Sequence, residues 1–294
     1  MIVITAPTSA IGRQVLENIL ESGEAIRVIA RDPSRIPAQI RERVDIVQGS
    51  HGDADIVRRA FEGADAVFWL VPPNPASESI EAAYLDFTRP ACEAFKVAGV
   101  QRVVGVSALG RGTGLEGNAG MVTVSLAMDD LIASTGVSYR ALTMPSFIDN
   151  IFRQVVSIGK QGVFFSPLTG DRRHPTCATR DIAAVATRLL LDRSWNGSQE
   201  APVLGPEDLS QEDMARIMSD VLGKPVRFQQ VPFDAFKAQF LQRGASEAFA
   251  RGMVDMMIAK DKGLDDGEQR TAENTTPTSF RQWCEEVLKP AIEG

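Results

Sequence analysis

Gly12 stands six residues after Ala6 and three after Ser9, where the apolar run Ile2–Thr5 gives way to a helical pattern. A tight turn from strand into helix aims backbone N–H groups, and the positive end of the helix, at a phosphate. Nucleotide-binding turns of this length carry three glycines, and here Ala6, Ser9 and Gly12 occupy their places. Glycine permits positive φ and close backbone approach, whereas Ala6 and Ser9 each add a Cβ and Pro7 removes an N–H. Gly12, where helix must pack on strand, is kept, and the hydroxyls of Thr8 and Ser9 can donate to phosphate. Thr5, Pro7, Thr8, Ser9, Ala10, Ile11 and Gly12 are therefore expected to line a dinucleotide pyrophosphate site.

The end of the next apolar run speaks to which dinucleotide. A site for NAD places a carboxylate there to accept from the ribose 2′-OH. This chain has Ala30, followed by Arg31 and, one turn on, Arg35. A guanidinium can hold a 2′-phosphate through paired charge-assisted hydrogen bonds, so NADP(H) is expected in preference to NAD(H). Two readings stand beside this one: both arginines as ordinary surface charges, and Asp32 as the ribose acceptor if the strand ends one residue later.

Other chemistry is thinly supplied. Cys92, Cys177 and Cys284 are too widely spaced for a disulfide framework or a metal site, and they suit a reducing cytoplasm. His51 and His174 are the only histidines. The net charge of -7 argues against nonspecific nucleic-acid binding. No apolar run approaches the ~20 residues that span a bilayer, and the first lacks the basic flank of a signal peptide. These features together point to a cytoplasmic enzyme or sensor that acts on a small molecule.

The elements that would position these residues alternate. Strands are expected at Ile2–Thr5, Ile26–Ala30, Val44–Val47, Ala66–Val71, Arg102–Ser107 and Ser138–Thr143. Helices are expected at Gly12–Ser22, Ala54–Phe61, Ala76–Ala98 and Val122–Ser134, with Gly23, Gly63, Gly99 and Gly136 as left-handed caps. Short, continuously apolar strands joined by helices give an α/β fold, a doubly wound parallel sheet. After Pro145 the pattern becomes mainly helical. Asp181–Leu191 is amphipathic, Ala201–Leu204 is a further strand candidate, and Ser210 with Asp213 resembles a capping box for a helix ending at Gly223. Phe233–Gly244 and Ala245–Lys262 complete a smaller C-terminal lobe. An approximate boundary near residue 155 is expected, with segments of the two lobes interleaving: a dinucleotide-binding domain over 1–155 and a substrate lobe over 156–294, with 179–205 packing back on the first. The phenylalanines and methionines of the lobe (Phe233, Phe236, Phe240, Phe249, Met253, Met256, Met257) fit core, a substrate cavity or a homodimer face.

The chain resembles the NmrA-like branch of the atypical short-chain dehydrogenase/reductase superfamily. The likeness is carried by Thr5–Gly12, Ala30–Pro33, Gly63–Pro73, Val103–Gly110, Gly136–Pro145 with Phe147 and Asn150, and Thr179–Ala186. It continues in Leu204–Glu207, Leu222–Val226 and Thr276–Phe280. The resemblance implies a Rossmann domain with a small C-terminal lobe, preference for NADP(H), and either reductase activity or redox sensing without turnover. It also implies that Leu70, Val71 and Pro72 border the cofactor, with Pro145 walling the same pocket. Ser107 would hydrogen-bond a substrate carbonyl beside the nicotinamide, or simply end its strand. Pro73, Ala108, Phe147 and Asn150 would face substrate, Asn150 by fixing a loop. His51 would lie near the adenine, or be an ordinary loop histidine. His174, within Asp171–Pro175, is expected in a surface charge cluster, with a substrate contact as the alternative.

Departures from the superfamily matter for catalysis. The Tyr-x-x-x-Lys proton relay is absent: Tyr84 and Tyr139 are the only tyrosines, and Thr88 and Thr143 stand four residues on. The His/Lys-to-Glu pair of related chains is replaced by Ser125 and Asp129, so the acid is kept in kind and the base is lost. The expected function is an NADP(H)-binding oxidoreductase that reduces a small apolar carbonyl, imine, quinone-like or azo compound. A non-catalytic NADP(H) sensor is the alternative.

Overall fold

In the computed structural model, which describes residues 1–294, the chain forms two compact units. The first comprises Met1–Ala108, Val124–Thr143 and Ile182–Ala201; the second comprises Leu109–Thr123, Met144–Asp181 and Pro202–Gly294. The chain therefore passes between the units several times along its length.

The first unit is built on a seven-stranded sheet. Its strands are β1 (Ile2–Thr5), β2 (Ile26–Ala30), β3 (Asp45–Gln48), β4 (Ala66–Trp69), β5 (Arg102–Val106) and β6 (Ser138–Thr143). The seventh is an edge strand beside β6. The pairs β1·β2, β2·β3, β1·β4, β4·β5 and β5·β6 are all parallel. β1 pairs with both β2 and β4, so the strand order reverses beside it. In open sheets of this kind, the crevice at the carboxyl ends of the strands flanking such a reversal takes the ligand. Helices α1 (Ala10–Leu20), α2 (Ala38–Arg41), α3 (Ala54–Phe61), α4 (Phe87–Ala98) and α5 (Met121–Ala133) supply the connections. Val3, Val67, Trp69 and Val103 pack with Phe61, Phe95, Met128 and Ile132 in one core. Phe61 and Phe95 stack at 5.1 Å. Burial on both faces explains why these strands are apolar throughout instead of alternating.

Local chemistry moved several boundaries. β4 stops at Trp69, not Val71, because Leu70 bonds elsewhere (its N–H donates to Thr5 Oγ1 at 2.9 Å) and Pro72 and Pro73 have no N–H to give a ladder. The helix expected from Ala76 starts after Ser79, whose hydroxyl accepts from Ala82 N–H at 3.0 Å. Residues Ala82–Asp86 then form a wide π turn that runs into α4. Pro90 lies inside α4 and leaves the Asp86 carbonyl without its usual donor, and the widened turn absorbs that mismatch.

The second unit holds β7 (Ser146–Phe147), α6 (Val155–Gln161), β8 (Val163–Ser166) and β9 (His174–Cys177). From Thr179–Leu191 the chain forms α7, which leads towards the first unit's edge strand, β10 (Ser198–Pro202). β10 replaces the strand expected at Ala201–Leu204; Leu204 instead makes an isolated bridge to Thr275. The second unit continues with β11 (Asp208–Leu209), α8 (Gln211–Leu222), β12 (Arg227–Gln230), α9 (Phe233–Gln242), α10 (Glu247–Asp261), α11 (Phe280–Trp283) and α12 (Lys289–Glu293). Ser210 and Asp213 form the expected capping box, and Gly223 ends α8 in a left-handed conformation. Met214, Met218, Phe280, Trp283 and Leu288 share its core. No helix is long and apolar enough to cross a membrane.

Candidate functional site

Thr5, the last residue of β1, is fully buried, and its hydroxyl donates to the Phe68 carbonyl at 2.9 Å. Ala6 then takes φ +47, the only non-glycine residue in the left-handed region. The turn thus keeps the backbone shape a glycine would supply, at a strain of about 1 kcal/mol. Ser9 caps α1, its Oγ accepting from Gly12 N–H at 3.0 Å, and Ser9 N–H donates to the Ala6 carbonyl at 3.0 Å. A Cβ on Gly12 would lie 2.2 Å from that carbonyl oxygen, so only glycine lets the helix approach the strand here. Ala10 and Ile11 are the first helical residues, and their amides have no acceptor within the helix. The first turn contains no acidic residue. An open, positive helix end beside a close-packed glycine fits a nicotinamide dinucleotide's pyrophosphate.

Arg31 and Arg35 are exposed and engaged in no ion pair. β2 ends at Ala30, and Asp32 turns away from it to cap the short turn Pro33–Arg35. Its Oδ1 accepts from Ser34 N–H at 3.0 Å and Ser34 Oγ at 2.6 Å, and these bonds hold its carboxyl below the usual range.

His51 is buried, with its Nε2 3.0 Å from the Leu70 carbonyl and its ring set edge-on against Trp69 and Phe87. Together with Thr5 it pins Leu70, and through Leu70 the exit Val71–Pro72–Pro73. Burial pushes the His51 pKa down to about 4, against a small upward pull from the Leu70 bond. A folded-state pKa below the unfolded value of about 6.5 gives stability that is complete above pH 6.5 and is lost as pH falls towards 4. Between pH 7 and 5 the wild type should therefore lose about 2 kcal/mol more unfolding free energy than His51→Gln, read from urea midpoints.

Ser107 follows β5 and is buried. Its hydroxyl donates to Asp129 Oδ2, and Tyr139 OH donates to the other carboxylate oxygen, Oδ1, at 2.6 Å. Asp129 lies on α5 and Tyr139 on β6, so three elements meet at one carboxylate. Gly105 makes the space, since a Cβ there would sit 2.3 Å from the Tyr139 hydroxyl. The sequence singled out Ser107 and Asp129 separately but not their contact, and it set Tyr139 aside for want of a following lysine. Ala108 is half-buried next to Ser107.

A cavity of about 610 Å³ lies within the second unit, inside the range of small-molecule sites. Phe147 and Asn150 line it. Loop fixing falls to Asp149, which accepts from Thr179 N–H at 2.7 Å. Of the aromatics and methionines singled out in the sequence, Phe236, Phe240, Met253, Met256 and Met257 line the cavity, whereas Phe249 is buried outside its lining and Phe233 is half-buried outside it. Pro145 is buried between β6 and β7 outside this lining, and Pro73 and Ala108 belong to the first unit.

His174 corrects the sequence reading. It is not on the surface: only 4% exposed, it borders the cavity, and neither ring nitrogen has a partner. Burial, reinforced by Arg172, lowers its pKa, while Asp265, Asp261 and Asp266 pull weakly the other way. The neighbouring arginines misled because Arg172 is paired with Asp266 and Arg173 with Asp213, while His174 opens β9 opposite Leu209. Close by in the lining, Lys260 Nζ donates to both oxygens of Asp265 at 2.8 and 2.6 Å, both residues being buried.

Comparison with known proteins agrees with this fold. An NAD(P)H-binding family model matches residues 8–193, and the NmrA-like family model matches residues 127–283. The (4-alkanoyl-5-oxo-2,5-dihydrofuran-3-yl)methyl phosphate reductase of Streptomyces griseus is 27% identical over 97% of both chains. The NAD(P)H azoreductase of Xenophilus azovorans is 25% identical over 87% of this chain and 86% of its own. A solved NADPH-dependent quinone oxidoreductase of Escherichia coli, complexed with NADPH, shares the fold with a TM-score of 0.77 at 21% identity, covering 100% of this chain and 99% of that one. With the turn, the sheet order and both family models in agreement, the chain belongs to the NmrA-like family of the atypical short-chain dehydrogenase/reductase superfamily.

Proposed function

We propose that the protein is an NADPH-dependent oxidoreductase for small, largely apolar quinone-like or azo compounds. The first unit holds the cofactor and the second unit's cavity receives the acceptor. The observation that carries this reading is the turn Thr5–Gly12, with its left-handed Ala6, obligatory Gly12 and open α1 amides. The reduced nicotinamide supplies hydride when bound, so the chain needs chiefly to bind and orient. Ala10 and Ile11 amides take the pyrophosphate, and Arg31 with Arg35 takes the 2′-phosphate. Asp32, spent on Ser34, does not compete for the ribose. Ser107 is the side chain that meets the reacting groups, with Asp129 and Tyr139 fixing its rotamer. The relatives' names, azoreductase and quinone oxidoreductase, support the acceptor class.

Calorimetric titration of NADPH and NADH into wild type and Arg31→Ala tests the cofactor assignment. The wild type should prefer NADPH by at least about tenfold, and Arg31→Ala should remove most of that preference while leaving NADH within about twofold. No binding of either nucleotide below millimolar would sink the proposal, and an unchanged NADPH/NADH ratio in Arg31→Ala would sink the 2′-phosphate contact. Turnover of quinones and azo compounds by the NADPH complex is expected; binding without turnover of any acceptor would make the protein a sensor instead.

A further inference from the structure

The second unit's cavity is walled by apolar and uncharged polar side chains alike, and it carries a charge pattern of its own. Its charged lining residues are Arg153, Arg243, Lys260 and Asp265, with His174 held neutral by burial. Lys260 and Asp265 cancel each other. Arg153 and Arg243 are exposed, and neither is in an ion pair. They mark the solvent end of the cavity, while His174 and Lys260, 4% and 5% exposed, mark its deep end. On a chain of net charge -7, this mouth is therefore locally positive. At the deep end, an unpartnered imidazole is a cost that a ligand can remove, since a buried polar group without a hydrogen bond is destabilising.

We infer that this cavity selects acceptors that are amphipathic acids: a planar apolar body carrying an anionic group that meets Arg153 and Arg243, with a polar atom further in that hydrogen-bonds His174. This rests on the reading of the cavity as the acceptor site and names its substrate class. The Phe236 and Phe240 rings, together with the methionines of α10, contact the body without fixing one shape, because thioether side chains repack readily. The arginines add attraction that a neutral analogue lacks. His174 Nδ1 or Nε2 can serve as donor or acceptor according to tautomer, so either a carbonyl, an azo nitrogen or a hydroxyl satisfies it.

Equilibrium dialysis of 4-(phenylazo)benzoate against its neutral isostere 4-(phenylazo)benzamide, without nicotinamide nucleotide, tests the inference. The acid should bind at least about tenfold more tightly at low salt, and the gap should shrink at 0.5 M NaCl. Arg153→Gln/Arg243→Gln should bring the two ligands together by weakening only the acid; both sites are exposed, so folding is not at stake. His174→Phe should weaken both about fivefold, a loss His174→Gln should partly restore. Equal binding of acid and amide by wild type, failure of either to bind below millimolar, or an undiminished preference in the arginine variant would overturn the anionic class. Unchanged binding in His174→Phe would remove the histidine from the site. Because no cofactor is present, these results are separable from the reductase reading, which fails only if bound dye is not reduced by NADPH.

Discussion

Gly12→Ala is expected to raise the Kd for NADPH by more than about a hundredfold and to lower unfolding free energy by about 2–4 kcal/mol. The added Cβ would sit 2.2 Å from the Ala6 carbonyl oxygen, a backbone atom that cannot rotate away. That oxygen also accepts from Ser9 N–H, and Ser9 Oγ in turn accepts from Gly12 N–H, so relieving the clash opens the whole turn. The Ala10 and Ile11 amides then lose the alignment that the proposed pyrophosphate site requires. Gly23→Ala serves as the control. It carries φ +78 but has nothing within 4 Å of a Cβ, so it should cost about 1 kcal/mol and leave NADPH binding unaltered. Calorimetry and urea melts of the two variants read both effects. NADPH affinity in Gly12→Ala within threefold of wild type would show that the turn does not hold the phosphates.

The second large effect concerns Asp129. Asp129→Ala and Ser107→Ala should each lower kcat about a hundredfold with KM for NADPH changed far less, in the range of positioned polar groups at reacting centres. The physical basis is orientation: Ser107 has a fixed rotamer only while its hydroxyl donates to the carboxylate, and Tyr139 holds that carboxylate from the other side. Residues that act through one another lose activity together once. The double variant Ser107→Ala/Asp129→Ala should therefore be no slower than the worse single variant. Tyr139→Phe, which keeps the ring, should give a milder loss of about tenfold, and Gly105→Ala should mimic it by displacing the hydroxyl. Fully additive losses in the double variant would show that Asp129 is a structural residue and does not position Ser107.

Much of this architecture was legible because burial imposes simple patterns. β1, β2, α3 and β6 have the bounds their apolar runs predict, and Ser210, Asp213 and Gly223 mark α8 by local hydrogen bonding alone. The strand-to-helix turn was legible for the same reason, its eight residues Thr5–Gly12 being consecutive in the chain. The Ser107–Asp129–Tyr139 cluster was not, since its members lie on separate elements and meet only through the packing of α5 on β5 and β6. The clue was Gly105, a glycine inside a strand where nothing local calls for one. His174 was hidden differently. β9 and β11 are too short to show alternation, and the arginines before the histidine signal solvent even though their charges are balanced by Asp266 and Asp213.

The edge strand β10 has a consequence for synthesis. Five consecutive parallel pairings involve only residues up to Thr143, so most of the sheet can assemble early. β6, however, waits for Ser198–Pro202 to become its outer neighbour, and Arg140 on β6 waits for Trp195, over whose ring its guanidinium sits at 4.4 Å. While the intervening residues emerge from the ribosome, β6 presents an unpaired row of amides and carbonyls to any passing strand. At about 5–20 residues per second that window lasts several seconds. The nascent chain, more than the finished protein, is where this molecule is open to mispairing, and the late-arriving β10 closes that opportunity.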